Sequence, residues 1–177
     1  MILAHFDGAC EPKNPGGQMG IGAFIQSDDE LLMEYSQSVE ANSENSNNVA
    51  EYMGMLSILH WLVANGYTQD EVLICGDSQL AIKQMKGEYG MHRGRYITIA
   101  KECQALAKHF SNLSFQWVPR EENKRADDLS KKSLTCKVAK RRPSKKSIVI
   151  QKAERSAVPV SDGVVILNDS ENPFDVL

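Results

Sequence analysis

Acidic residues stand where strands and helices are expected to meet. Asp7 follows the apolar run "ILAHF", Asp77 follows "EVLICG", Glu51 lies within "NNVAEYMGMLSI", and the pair Asp127-Asp128 lies early in "NKRADDLSKKSL". Side chains at strand ends converge on a cleft. Hard oxygen donors gathered without paired His or Cys suit Mg²⁺ or Mn²⁺ better than zinc, and such ions act on phosphates. Two of them, held ~4 Å apart, would stabilise both the attacking and the leaving oxygen of an in-line phosphoryl displacement.

A plainer reading competes for each acid taken singly. Asp77 before "SQL" suits a helix N-cap, and Asp7-Gly8 suits a turn. Glu51 resists that reading, because on a helix it shares a face with Met55, Ile58 and Leu62. An ionised carboxylate buried there costs several kcal/mol unless it is neutralised, paired or metal-bound. No Lys or Arg lies one helical turn to either side of it, which leaves a metal as the economical answer.

The elements that would carry these residues follow from pattern. "ILAHF", "MGIGAFIQS" and "LLMEYSQSV" read as strands, the last two joined by the acidic turn "DDE". "VAEYMGMLSILHWLVANG" reads as a central helix of about five turns, opened by the cap residues of "NSENSNN" and closed by Asn65-Gly66. "EVLICGD" followed at once by "SQLAIKQMKG" suggests a parallel strand-to-helix unit. A further amphipathic helix in "RYITIAKECQALAKHF", the strand "LSFQWV" and a closing helix complete an α/β order with a mixed sheet. Trp61 and Trp117 are expected at the core or its edge, and His60 on the surface of the central helix.

In this order, "FDGACEPKNPGG", "NNVAEY", "GDSQLAI" and "WVPREENKRADDLS" closely resemble the type 1 ribonuclease H family, over residues 1 to about 134. The resemblance implies a ribonuclease H-like fold: a five-stranded mixed sheet with an antiparallel meander of the first three strands, the fourth and fifth parallel to the first, and helices on both faces. It implies two Mg²⁺ ions, with Mn²⁺ as a substitute, and cleavage of the RNA strand of RNA–DNA hybrids to 5′-phosphate and 3′-hydroxyl ends. Carried over by position, the catalytic and metal-binding acids are Asp7, Glu51, Asp77 and Asp127. The family pattern N-x-x-A-D-x-L, here "NKRADDL", selects Asp127 over Asp128. Substrate contacts in the minor groove match Cys10, Asn14, Asn48 and Gln79, whose short side chains suit a test for 2′-hydroxyls and groove width.

Two departures stand out. "WVPREEN" lacks the histidine that many members carry before the last helix, so Arg120 or Glu122 is its candidate substitute, with water as the alternative and Asn123 a further candidate auxiliary residue. The basic insertion that some members place between the middle helices is reduced here to "KGEYGMHRGR", where His92 and Arg93 are candidate phosphate contacts. A nuclease acting on another duplex and a catalytically silent hybrid-binding module remain open beside the hybrid-cleaving reading.

Charge divides the chain. Residues 1–130 hold 10 Lys+Arg against 18 Asp+Glu, and residues 131–155 hold 10 against 1. A catalytic domain over residues 1–134 and a tail over 135–177 with little fixed structure are expected. In the tail, the basic stretch 137–146 is a candidate nucleic-acid contact and residues 168–177 a candidate peptide docking motif. The four cysteines are widely spaced, without a C-x-x-C, and are expected as reduced thiols. No apolar run approaches the ~18 residues of a membrane span, so no membrane partner, a cytoplasmic location and a monomer are the expectations.

Overall fold

The computed structural model describes residues 1–135 and the backbone of residues 165–166. Its elements are β1 (Ile2–Glu11), β2 (Gln18–Ser27), β3 (Glu30–Val39), α1 (Asn47–Ala64), β4 (Glu71–Gly76), α2 (Gln79–Met85), α3 (Ile97–Ala107), β5 (Asn112–Trp117), α4 (Lys124–Thr135) and β6 (Val165–Ile166). The sheet order is β5-β4-β1-β2-β3-β6. β1, β2 and β3 form the antiparallel meander, while β4 runs parallel to β1 and β5 parallel to β4. This is the expected mixed sheet, with one addition. Val165 and Ile166 pair in parallel with Met33 and Glu34 at the outer edge of β3. The basic stretch 137–146 and residues 168–177 lie outside the described residues.

Both faces of the sheet are covered, and β2 shows how one sequence serves both. Ile21, Ala23 and Ile25 point into the main core beneath α1, with Met55, Ile58, Leu59 and Leu62 all fully buried. Gly20, Gly22 and Phe24 alternate onto the other face, under α4. There a Cβ on Gly22 would fall 2.3 Å from the Ala126 carbonyl oxygen, and one on Gly20 would fall 2.1 Å from that of Ser130. Glycine at these two positions lets α4 lie directly on the strand, so an alanine at position 22 would lift the helix. Across the same face Ala126 and Leu129 pack on Phe24, whose ring stacks on His5 at 4.9 Å.

Turns and caps follow their local chemistry. Asp28 and Asp29, at positive φ, form the two-residue turn between β2 and β3. The Ser46 side chain caps α1 through the Val49 N–H, and Gly66 at φ +83° follows the helix end. Among the described residues no helix is long and apolar enough to cross a membrane. The described cysteines, Cys10, Cys75 and Cys103, are free and buried.

Candidate active site

The first strand is longer than its apolar run suggests, and the difference decides what Asp7 does. β1 continues through "DGACE" to Glu11 because β2 partners it throughout, out to Glu11 opposite Gln18. β4, on its other side, pairs only as far as His5 opposite Cys75. Asp7 is therefore not in a turn. It lies mid-strand, at the point where one neighbour has ended and the sheet opens.

That opening lets acids from the two faces meet. His5 and Asp7 point toward α4, where Asn123 Oδ1 lies 3.0 Å from His5 Nδ1 and the Ser130 hydroxyl donates to Asp7. Glu51 comes from the opposite face, on the first turns of α1. A Cβ on Gly8 would fall 2.2 Å from the Glu51 nitrogen and 2.4 Å from the Ala50 carbonyl carbon. Only glycine admits that approach, which brings α1 down onto β1 beside Asp7. Asp77 arrives at the end of β4. Oxygens of Asp7, Glu51 and Asp77 lie within 4.8 Å of one another.

Capping does not account for Asp77. The N-cap of α2 is Ser78, whose hydroxyl accepts from the Ala81 N–H at 3.4 Å. Both sequence alternatives, a turn at Asp7 and a cap at Asp77, thus fail for the same reason: the neighbouring residue or strand already does that work.

Electrostatics separate this trio from the fourth acid. Burial, opposed by the Ser130 hydrogen bond and reinforced by Asp77 and Asp127, pushes Asp7 up to about 6. Burial together with Asp7 and Asp77 raises Glu51 well above the ordinary carboxylate value, and among the described residues its Oε2 is buried without a hydrogen-bond partner. A buried, unpartnered carboxylate oxygen facing two more carboxylates fits a divalent cation, whose charge would offset both the repulsion and the lost hydration.

Asp127 is buried on α4, while Asp128 is exposed. Its Oδ1 accepts from Arg120 Nη2 at 2.6 Å and Nε at 3.2 Å, and its Oδ2 accepts from Lys131 Nζ at 2.5 Å. Burial acts to raise this carboxyl, but the Lys131 and Arg120 hydrogen bonds outweigh it and hold it below the ordinary value. Asp127 is near enough to act on Asp7, yet it is not part of the three-carboxylate cluster.

The remaining candidates fall into distinct places. Asn14, Asn48 and Gln79 are exposed, and Asn14 Oδ1 accepts from the Asn47 N–H at 3.1 Å. Cys10 is buried, with its thiol toward the Lys13 carbonyl at 3.3 Å. Arg120 reaches the site, and Glu122 is exposed. Asn123 is fully buried, and its amide donates to the Phe6 carbonyl at 2.8 Å, so it ties β1 to the start of α4. Trp117, expected at the core or its edge, is 41% exposed, and its indole N–H donates to the Asp77 carbonyl at 3.0 Å. Ser130 and Lys131 had no place in the sequence reading. The i, i+4 spacing from Asp127 to Lys131 was visible there, whereas nothing local links Ser130 to Asp7 across the sheet.

Comparison with known proteins agrees with this geometry. The reverse transcriptase-like family matches residues 5–133. The bifunctional protein Rv2228c of Mycobacterium tuberculosis is 34% identical over 133 residues, 75% of this chain but 35% of that protein. The chain thus spans about a third of the length of this mycobacterial relative. Ribonuclease HI of Halobacterium salinarum is 29% identical over 133 residues, 75% of this chain and 64% of that protein. Its crystal structure superposes with a TM-score of 0.66 at 28% identity, covering 75% of this chain and 96% of that one. The LC11 RNase H1, solved in complex with an RNA/DNA hybrid, gives a TM-score of 0.66 at 29% identity over 76% of this chain and all of that one.

Proposed function

Since the chain belongs to the type 1 ribonuclease H family, we propose that it is an endonuclease that hydrolyses the RNA strand of RNA–DNA hybrids, leaving 5′-phosphate and 3′-hydroxyl ends. One observation carries the reading: three carboxylates within 4.8 Å of one another, one with a buried oxygen that no group among the described residues satisfies. Solved relatives include an RNase H1 bound to such a hybrid.

Asp7, Glu51 and Asp77 would hold a Mg²⁺ or Mn²⁺ ion, and Asp127 with Asp7 a second. Bound there, the metal supplies charge neutralisation at the scissile phosphate and a water of lowered pKa. The chain's own residues do the rest. Gly8 and the stiff helix α1 fix Glu51, and the Ser130 hydroxyl orients one Asp7 oxygen and leaves the other free. In the displacement a water oxygen bonds to phosphorus as its proton passes to solvent, and the bond to the 3′-oxygen breaks. The 3′-oxygen leaves with a proton drawn from solvent or a nearby donor. Arg120, two-thirds exposed and already among the acids, is the cation placed to meet phosphate charge. Asn14, Asn48 and Gln79 would present amides to the minor groove.

The test is incubation with labelled hybrid, double-stranded RNA and double-stranded DNA, with and without Mg²⁺, followed by mapping of product ends. Mg²⁺-dependent cutting confined to the RNA of the hybrid supports the reading. Cutting of another duplex, or binding without cutting, would replace it. For the basic stretch 137–146 we propose phosphate contacts. Truncation after Leu134 should then flatten the salt dependence of hybrid binding, and an unchanged slope would refute that role.

A further inference from the structure

The end of β4 is braced from one side only. β1 stops pairing with β4 at Cys75, so Gly76 and Asp77 have no strand beside them on that flank. On the other flank Gly76 pairs with Trp117, the last residue of β5, and the Val118 N–H donates to the Gly76 carbonyl at 3.1 Å. The next carbonyl, that of Asp77, lies past the last sheet pair and before the first α2 bond, which runs from the Ile82 N–H to the Ser78 carbonyl. Its hydrogen bond comes instead from the Trp117 indole at 3.0 Å. An indole left 41% exposed forgoes much of the burial a Trp normally gains. The polar end of the ring is nonetheless held against Asp77.

We propose that Trp117 is a positioning residue for the metal site, resting on the function proposed above. Its N–H fixes the peptide plane that joins Asp77 to Ser78, and so the direction in which the Asp77 carboxylate leaves the backbone. Outer groups that orient metal ligands act through affinity, and here the ligand is oriented through its main chain. Because Trp117 is already well exposed, the N–H can be removed with little loss of packing.

The experiment uses the full chain and Mn²⁺ alone, with affinity measured by calorimetry and thermal unfolding followed without metal. Trp117→Phe keeps a ring and removes the donor. It should bind Mn²⁺ about tenfold more weakly, with an unfolding temperature within a few degrees of wild type. Trp61→Phe, a change to the other Trp, which stacks on Tyr67 instead, should leave affinity unaltered. Equal Mn²⁺ affinity in Trp117→Phe and wild type would overturn the proposal. So would parallel loss of affinity and unfolding temperature, which marks a merely structural role, or a raised KM for hybrid with unchanged Mn²⁺ binding, which marks a substrate contact. Absence of Mn²⁺ binding in wild type would instead overturn the metal site itself, and this inference with it.

Discussion

Asp7, Glu51 and Asp77 crowd together without an ion pair among the described residues, whereas Asp127, on the neighbouring helix, holds two cations. Burial is common to both regions and the outcome is opposite. In the trio burial raises Asp7 and Glu51, and the neighbouring carboxylates reinforce it. At Asp127 it is outweighed by Lys131 and Arg120, and the carboxyl is depressed. Like-charged groups sharing a water-poor space store repulsion that an added cation relieves, while a group already neutralised gains less from one. The trio is thus built to want a cation, whereas Asp127 is already met by Arg120 and Lys131, with which an incoming ion must compete.

Removing an acid from each region tests this contrast. Asp77→Asn should lower hybrid cleavage by orders of magnitude while leaving the fold intact, as checked by cleavage rates and circular dichroism. A wild-type rate would end the metal assignment. Asp127→Asn should cost more activity than Asp128→Asn in the same assay, because Asp127 is buried beside the trio and Asp128 faces solvent. The reverse result would move the fourth acid by one position.

Stability should separate the regions by sign. Glu51→Gln removes a buried carboxyl that is costly to ionise and has one oxygen without a partner among the described residues. At neutral pH without metal it should therefore raise stability by about 1 kcal/mol or more, read from urea unfolding, while weakening Mn²⁺ binding. Wild type should behave consistently with pH. Asp7 has a folded pKa of about 6, above its unfolded value, so its contribution is full below the unfolded pKa and is lost as pH rises through about 6. Asp127, depressed, contributes above its unfolded value and loses that contribution as pH falls. Metal-free melting temperatures across pH 4 to 7 should therefore fall in wild type and fall less in Asp7→Asn. Smallest of all, Lys131→Ala should cost about 0.5 kcal/mol, since the lysine is nearly half exposed and its i, i+4 pair is screened.

The order of strands and helices, the buried face of α1 and the identity of the clustered acids were all legible in the chain, because apolar period and turn chemistry are local properties. The length of β1 was not. "DGACE" contains turn-forming residues, and only the presence of β2 along its whole length keeps it extended. Asn123 was a candidate auxiliary residue of the site, yet the structure buries it, bonded to His5 and the Phe6 carbonyl, a choice no local pattern encodes. Trp117 was expected at the core or its edge, and its exposure follows from the position of β5 at the sheet edge.

Residue order alone marked one acid on each of four elements, Asp7, Glu51, Asp77 and Asp127, because each follows or interrupts a local apolar pattern. What the tertiary structure decided was which acids share a space and which are already neutralised. The pairing of β4 with β1 ends two residues short of Asp7, Gly8 admits α1, and Arg120 and Lys131 fold over Asp127. Those relations depend on distances between segments far apart in the chain, and the pairing of strands and the seating of helices set such distances.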